Sequence, residues 1–350
     1  MSDAATSPDP TSPDPTSPDP TSPDSTTSRP GPSGSTAPTA RTTWALRVVA
    51  VAGPVVVAWV CLTAWGAVVH GHPLYAVLLA LTVVGCGLGL WCSTRPRAAR
   101  SRRRRVAGVA LVVVATGWVA AMAWLRPFTA VEPALTAMTS DADVTVTESA
   151  TRIVLEPVGD AGGTAVFFQP GAKVEARAYA AVLRPLAEAG HTVVVAKQPV
   201  GIAFLATGAF DAARDAYPGP ERWVVGGHSL GGVVASSEAD DADSEVVAPV
   251  VGLLLYASYP AGDVSTTLTA QVESISATQD GLSTPAKIDA ARADLPAGTG
   301  YTVIDGAVHA FFADYGPQPG DGTPTITHDD ARRQISQASV RFVDGLDASA

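Results

Sequence analysis

Three uninterrupted apolar runs dominate the first third of the chain: Val48 to Val69, Leu74 to Trp91 and Val106 to Leu125, with no charged residue inside any of them. About 20 helical residues cross the hydrocarbon of a bilayer, and none of the runs carries the polar face that a buried globular hairpin normally shows. They predict three transmembrane helices in a membrane segment bounded at 44 and 126. The first run is longer than the apolar core of a secretory signal, and further spans follow it, so a cleaved leader is not expected. Ahead of it, residues 1–43 repeat Thr-Ser-Pro-Asp-Pro from Thr6 and contain almost no large apolar side chains. Such a composition cannot bury enough surface to offset the entropy of ordering, which predicts a disordered tail.

After Pro127 the pattern changes. A connector is expected to about residue 150, and a globular domain over 151–350. Strand-like runs fall at Arg152 to Glu156, Ala165 to Gln169, His191 to Ala196, Trp223 to Gly226, Val251 to Ala257, Val272 to Ala277 and Tyr301 to Asp305. Helical patterns fall at Ala176 to Ala189, from about Leu230, near Pro285 to Ala293, and from about Asp329 to Leu346. Continuous Val-rich strands alternating with helices predict an α/β fold, a mostly parallel sheet covered on both faces.

Charge divides along the same boundary. Up to Arg126 there are eleven Arg and five Asp, a net of +6; beyond it twelve Lys plus Arg face 28 Asp plus Glu, a net of −16. An acidic globular part argues against nucleic acid as a partner. Arg95 to Arg105 holds seven arginines between the second and third runs, and the positive-inside rule makes that loop cytoplasmic. The tail, with Arg29, Arg41 and Arg47 close to the first run, is then cytoplasmic as well. The globular domain is expected on the extracytoplasmic face of a multi-pass membrane protein whose Arg-rich loop meets lipid headgroups. All three cysteines, Cys61, Cys86 and Cys92, lie in the apolar segment. The globular domain therefore offers no disulfide and no thiolate metal site, and its scattered histidines lack ligand spacing, so neither metal nor cofactor is expected.

Candidate chemistry centres on Gly227-His228-Ser229-Leu230-Gly231, a Gly-x-Ser-x-Gly pentapeptide after a buried strand and before a helix. A serine hydroxyl is a weak nucleophile until a base takes its proton, and the base needs a third group to fix its tautomer. Two histidines follow Ser229. His309 comes four residues after a strand end, whereas His328 sits in a Thr/Pro/Gly-rich loop, so His309 is the expected base. Asp280, in Thr278-Gln279-Asp280-Gly281-Leu282 at a strand's C-terminal edge, is the expected acid, with Asp263 as its competitor. Oxyanion donors are expected from the Leu230 N–H and from Gly171 or Ala172 in the turn after Gln169. Lys173 reads either as an exposed lysine or as one that holds this turn or meets an anionic substrate group. His228 is expected to pack beneath the elbow, and the acids from Glu238 to Glu245 to form a solvated face. Pro199 to Leu205 reads as an apolar acyl-binding wall or as a buried helix.

From about Ile153 to Val343 the chain resembles the small lidless α/β-hydrolases of the dienelactone-hydrolase-like type. Four blocks carry the resemblance in order: Phe167 to Val174, Gly226 to Gly232, Thr278 to Leu282 and Gly306 to Ala310. It implies a Ser229, Asp280, His309 triad and esterase or related hydrolase activity on a small-molecule ester. The sequence departs from the pattern at Ala172, where such relatives often carry a second glycine. About 50 residues separate Ser229 from Asp280, too few for a large cap domain, so an open site is expected. An acyltransferase or peptidase would use the same residues. A membrane-tethered binding protein on the same fold would have no use for all three.

Overall fold

The computed structural model describes residues 37–94, 102–159 and 161–348, excepting the side chains of 37–40 and 104. It begins with α1 (Ala37–Thr63), α2 (Trp65–His70), α3 (Pro73–Thr94) and α4 (Arg102–Trp124). Of these, α1, α3 and α4 are long and apolar enough to cross a membrane. Two boundaries differ from the sequence reading. Ala64, at φ −146 and ψ 34, leaves the helical region. The first run therefore stops at Thr63, and most of its remainder forms the separate turn α2. Conversely α1 starts at Ala37, inside the expected tail, with Pro38 in its first turn, where a missing N–H costs no helical hydrogen bond. The remainder of the tail and Arg95 to Ser101 of the basic loop lie outside the described residues.

The second part comprises α5 (Ala134–Ala137), β1 (Val144–Glu148), β2 (Arg152–Pro157), β3 (Thr164–Gln169), α6 (Ala180–Glu188), β4 (Val193–Ala196), α7 (Ala209–Ala216), β5 (Arg222–His228), α8 (Leu230–Ala242), β6 (Val250–Tyr256), β7 (Gln271–Ala277), α9 (Pro285–Ala290), β8 (Gly300–Ile304) and α10 (His328–Ala348). The strands form one sheet in the order β1-β2-β4-β3-β5-β6-β7-β8. Strand β2 is antiparallel to both its neighbours, and all pairs from β4 to β8 are parallel. Alternate residues of each central strand feed opposite cores. Val166, Phe168, Val224 and Leu254 face α6 and α10, while Ala165, Phe167, Trp223, Val225 and Leu253 face α7 and α8. Burial on both faces is why these strands read as unbroken apolar runs.

Strand β1 and helix α7 were not anticipated. The alternating Val144-Thr145-Val146-Thr147 is a two-residue period with one exposed face, and it lies in the expected connector. The Pro199 to Leu205 stretch is not a buried helix. It forms two 3₁₀ turns, Pro199–Gly201 and Ala203–Leu205, with Phe204 and Leu205 exposed.

The two parts are joined closely. Phe128, just after α4, pairs with Val174 as a parallel bridge: its N–H donates to the Lys173 carbonyl at 2.7 Å, and its carbonyl accepts from Glu175 N–H at 2.9 Å. Glu175 is buried, and its Oε2 accepts the Ala130 N–H at 2.8 Å. Burial pushes its carboxyl above the usual carboxylate range.

Candidate active site

β5 delivers Ser229 to the start of α8 through a turn without room for side chains. A Cβ at Gly227 would collide with the Gly231 carbonyl group, and one at Gly231 would strike the carbonyl oxygens of Gln169 and Pro170. With those contacts closed, Ser229 is held at φ 52 and ψ −123, a region side chains rarely occupy. Its N–H donates to Tyr256 O at 3.0 Å, and its carbonyl accepts from Ser258 Oγ at 2.6 Å. The side chain stands half-exposed at the sheet's C-terminal edge, before the N-terminus of α8.

His309 and Asp280 meet beside it, on the loops after β8 and β7. His309 Nδ1 and Asp280 Oδ2 are 2.8 Å apart, and both residues are buried. Asp280 Oδ1 accepts the N–H groups of Leu282 and Ser283, each at 2.7 Å. With three donors on two oxygens the carboxylate can turn in only one way, which fixes the imidazole plane and leaves Nε2 directed away from the pair. The His309 ring lies 4.5 Å from that of His228, the residue before Ser229, so the three candidate residues share one corner. Among the described residues the Ser229 hydroxyl makes no hydrogen bond to His309; such contacts often tighten only when substrate binds. The competing residues sit elsewhere. Asp263 is exposed and caps the Ser265 N–H, and His328 stacks on Phe311 at the start of α10.

The backbone donors sort themselves by what already occupies them. Gly171 N–H donates to Tyr179 Oη at 2.8 Å. The Tyr179 hydroxyl also lies 2.8 Å from His228 Nδ1, and its own hydrogen is free to point there. Burial and the neighbouring His309 hold His228 well below the usual histidine range, so it stays neutral. Gly171 is thus spoken for. The N–H groups of Ala172 and Leu230 have no partner among the described residues.

Other contributors were not singled out in the sequence. Tyr179 fixes the β3 turn, as above. Gln169 at the end of β3 donates through Nε2 to Glu238 Oε1 at 2.9 Å, and Gln198 Nε2 donates to both Gln169 Oε1 and Pro170 O at 2.9 Å. Glu238 corrects the expectation of a solvated acidic face: it is buried on the inner side of α8, and burial pushes its carboxyl up to about 8. Asp321, in Pro319-Gly320-Asp321-Gly322, clamps the other two loops together. Its Oδ1 accepts from Gly281 N–H and His309 N–H at 3.1 Å, and its Oδ2 accepts from Ala310 N–H at 2.8 Å. Lys173 holds the turn rather than facing solvent alone, since its Nζ donates to Trp124 O at 2.8 Å.

Asp321→Ala strips acceptors from amides on both loops. Hydrogen exchange at Gly281, His309 and Ala310 should speed up by roughly tenfold or more, because each bond to a carboxylate contributes about 1.5–3 kcal/mol. Unchanged exchange would remove Asp321 from the framework. Glu238 makes a different prediction. Below about pH 4.5 both folded and unfolded chains hold its proton, and between there and about 8 only the folded chain does. Stability therefore falls as pH rises through that window, by up to about 1.4 kcal/mol per pH unit, and levels off above it. Glu238→Gln should flatten that slope in melting curves recorded from pH 5 to 8.

Residues 165–333 match the Alpha/beta hydrolase family profile. No curated protein matches the sequence. Among solved structures, similarity extends to an esterase/lipase from an uncultured bacterium, 11% identical over 61% of this chain and 89% of that one, with a TM-score of 0.42. A thermostable esterase from Pseudomonas putida ECU1011 is 16% identical over 59% and 85%, with a TM-score of 0.41. A serine hydrolase homologue from Coxiella burnetii is 13% identical over 59% and 99%, with a TM-score of 0.40. The sheet order, the turn between β5 and α8, and the family match over residues 165–333 together give this part of the chain the α/β-hydrolase fold.

Proposed function

We propose that the chain is a membrane-anchored serine hydrolase that cleaves a small carboxylic ester or thioester through an acyl-enzyme on Ser229. The observation that carries this reading is the buried His309–Asp280 pair beside a strained serine at a helix N-terminus. His309 Nε2 takes the hydroxyl proton as Ser229 Oγ bonds to the carbonyl carbon. The tetrahedral oxyanion is met by the N–H groups of Leu230 and Ala172, since that of Gly171 is occupied by Tyr179. Collapse expels the alcohol or thiol, which leaves with the proton from His309. Water then repeats the cycle: His309 takes its proton, the hydroxide attacks the acyl carbon, and Ser229 recovers its hydrogen as the acid departs. Asp280 keeps Nδ1 protonated and stabilises the imidazolium in both halves. The membrane reading is supported by the three apolar helices, and the arginines of the loop between the second and third favour an extracytoplasmic hydrolase domain under the positive-inside rule.

A fluorophosphonate should label the full chain, and labelling should vanish in Ser229→Ala and His309→Ala. Asp280→Asn should keep the fold and lower ester turnover by about 10⁴, the scale set by losing the correct tautomer. A folded wild type that takes no label would sink the mechanism. A membrane-impermeant fluorophosphonate added to intact cells should label the same serine, whereas labelling only after lysis would reverse the orientation.

A further inference from the structure

The turn that carries Gly171 and Ala172 is fastened to the end of the third apolar helix. Lys173, one residue beyond Ala172, bonds the last carbonyl of α4 through Nζ, and that nitrogen lies 4.6 Å from the Trp124 ring and 5.6 Å from the Phe128 ring. Its backbone N–H donates to Gly201 O at 2.6 Å. Lys173 and Val200 both hold positive φ, 61 and 49, so two strained residues sit at one junction. Val200 packs on the cluster formed by Val60, Val68, Tyr75, Leu79 and Met122, where α1 and α4 end and α3 begins. Trp65 and Trp124 are exposed at these helix ends, the level at which aromatic side chains favour the headgroup boundary.

From that level the loop continues into Phe204 and Leu205, which are 55% and 58% exposed. Both ends of the loop are tied to the turn after β3. Gln198 Nε2 donates to Pro170 O, and Gln169 Nε2 donates to Ala206 O at 3.4 Å. Two adjacent large apolar side chains are thus held out beside the oxyanion turn, continuous with an apolar surface that a bilayer covers.

We propose that the site draws its ester from the bilayer. Phe204 and Leu205 seat in the leaflet interface beside the domain, and an amphiphilic, lipid-like ester leaves its apolar chain in the membrane while its carbonyl reaches Ser229. This assignment rests on the membrane-anchored serine hydrolase reading above.

The test uses the full chain in vesicles of phosphatidylcholine and phosphatidylglycerol, with two esters of one fluorophore: soluble 4-methylumbelliferyl butyrate and the oleate dissolved in the vesicles. Phe204→Ser with Leu205→Ser should lower the oleate-to-butyrate rate ratio tenfold or more; an unchanged ratio overturns the proposal. A second readout is independent of turnover. In a background with Cys61, Cys86 and Cys92 changed to Ala, an environment-sensitive dye on Leu205→Cys should be quenched by nitroxide-bearing lipids. The same dye on Val247→Cys, an exposed site at the opposite edge of the sheet, should not be. Absence of quenching at Leu205 overturns membrane insertion even if both esters are cleaved. Quenching with neither ester cleaved and no fluorophosphonate label overturns the hydrolase reading, and the substrate assignment with it.

Discussion

Backbone touches backbone where β5 gives way to α8: Gly227 lies against Gly231, and Gly231 lies against the carbonyls of Gln169 and Pro170. That approach brings the candidate nucleophile's helix into contact with the turn after β3, and it leaves Ser229 no relaxed conformation. Any side chain at those glycines would push the two elements apart. The turn that carries Ala172 would then move away from the start of α8, which carries Leu230. The remaining polar contacts of the site maintain this one juxtaposition.

Those contacts come in two layers. Beneath the turn, the series from Gly171 N–H through Tyr179 to His228 orders one side, and the amides of Gln169 and Gln198 with Glu238 order the other. On the far side, Asp280 and Asp321 collect backbone N–H groups from the loops after β7 and β8. The two buried carboxyls of the site differ in their donors. Asp280 meets three N–H groups, whereas Glu238 meets one amide and is pushed toward its neutral form by burial.

The coupling to the apolar helices follows the same economy of structure. Lys173 sits between the turn and Trp124, so the position of the candidate oxyanion donors is referred to the end of α4 as well as to the sheet. Strain at Lys173 and Val200 persists because both segments are pinned on two sides.

Much of this was legible in sequence because it depends on near neighbours. Seven of the eight strands, the helix after Ser229 and the three apolar helices are written in local hydrophobic period, and the serine turn is written in five consecutive residues. Asp280 and His309 were identified by their place just after strands, and the sheet brings strands β7 and β8 side by side. What the sequence did not reveal are the contacts between segments far apart along the chain. Gln169 reaches Glu238 across 69 positions, Lys173 reaches Trp124 across 49, and Gly281 reaches Asp321 across 40. No local pattern marks Glu238 as buried, since it stands among surface acids on α8, or Asp321 as a clamp, since Pro-Gly-Asp-Gly reads as an ordinary turn. Local periodicity determined the elements and the chemistry each could bring. Only the packed sheet decided which amide stayed free, which acid lost water, and which loop met the apolar helices, because burial and hydrogen-bond partners are properties of neighbours in space.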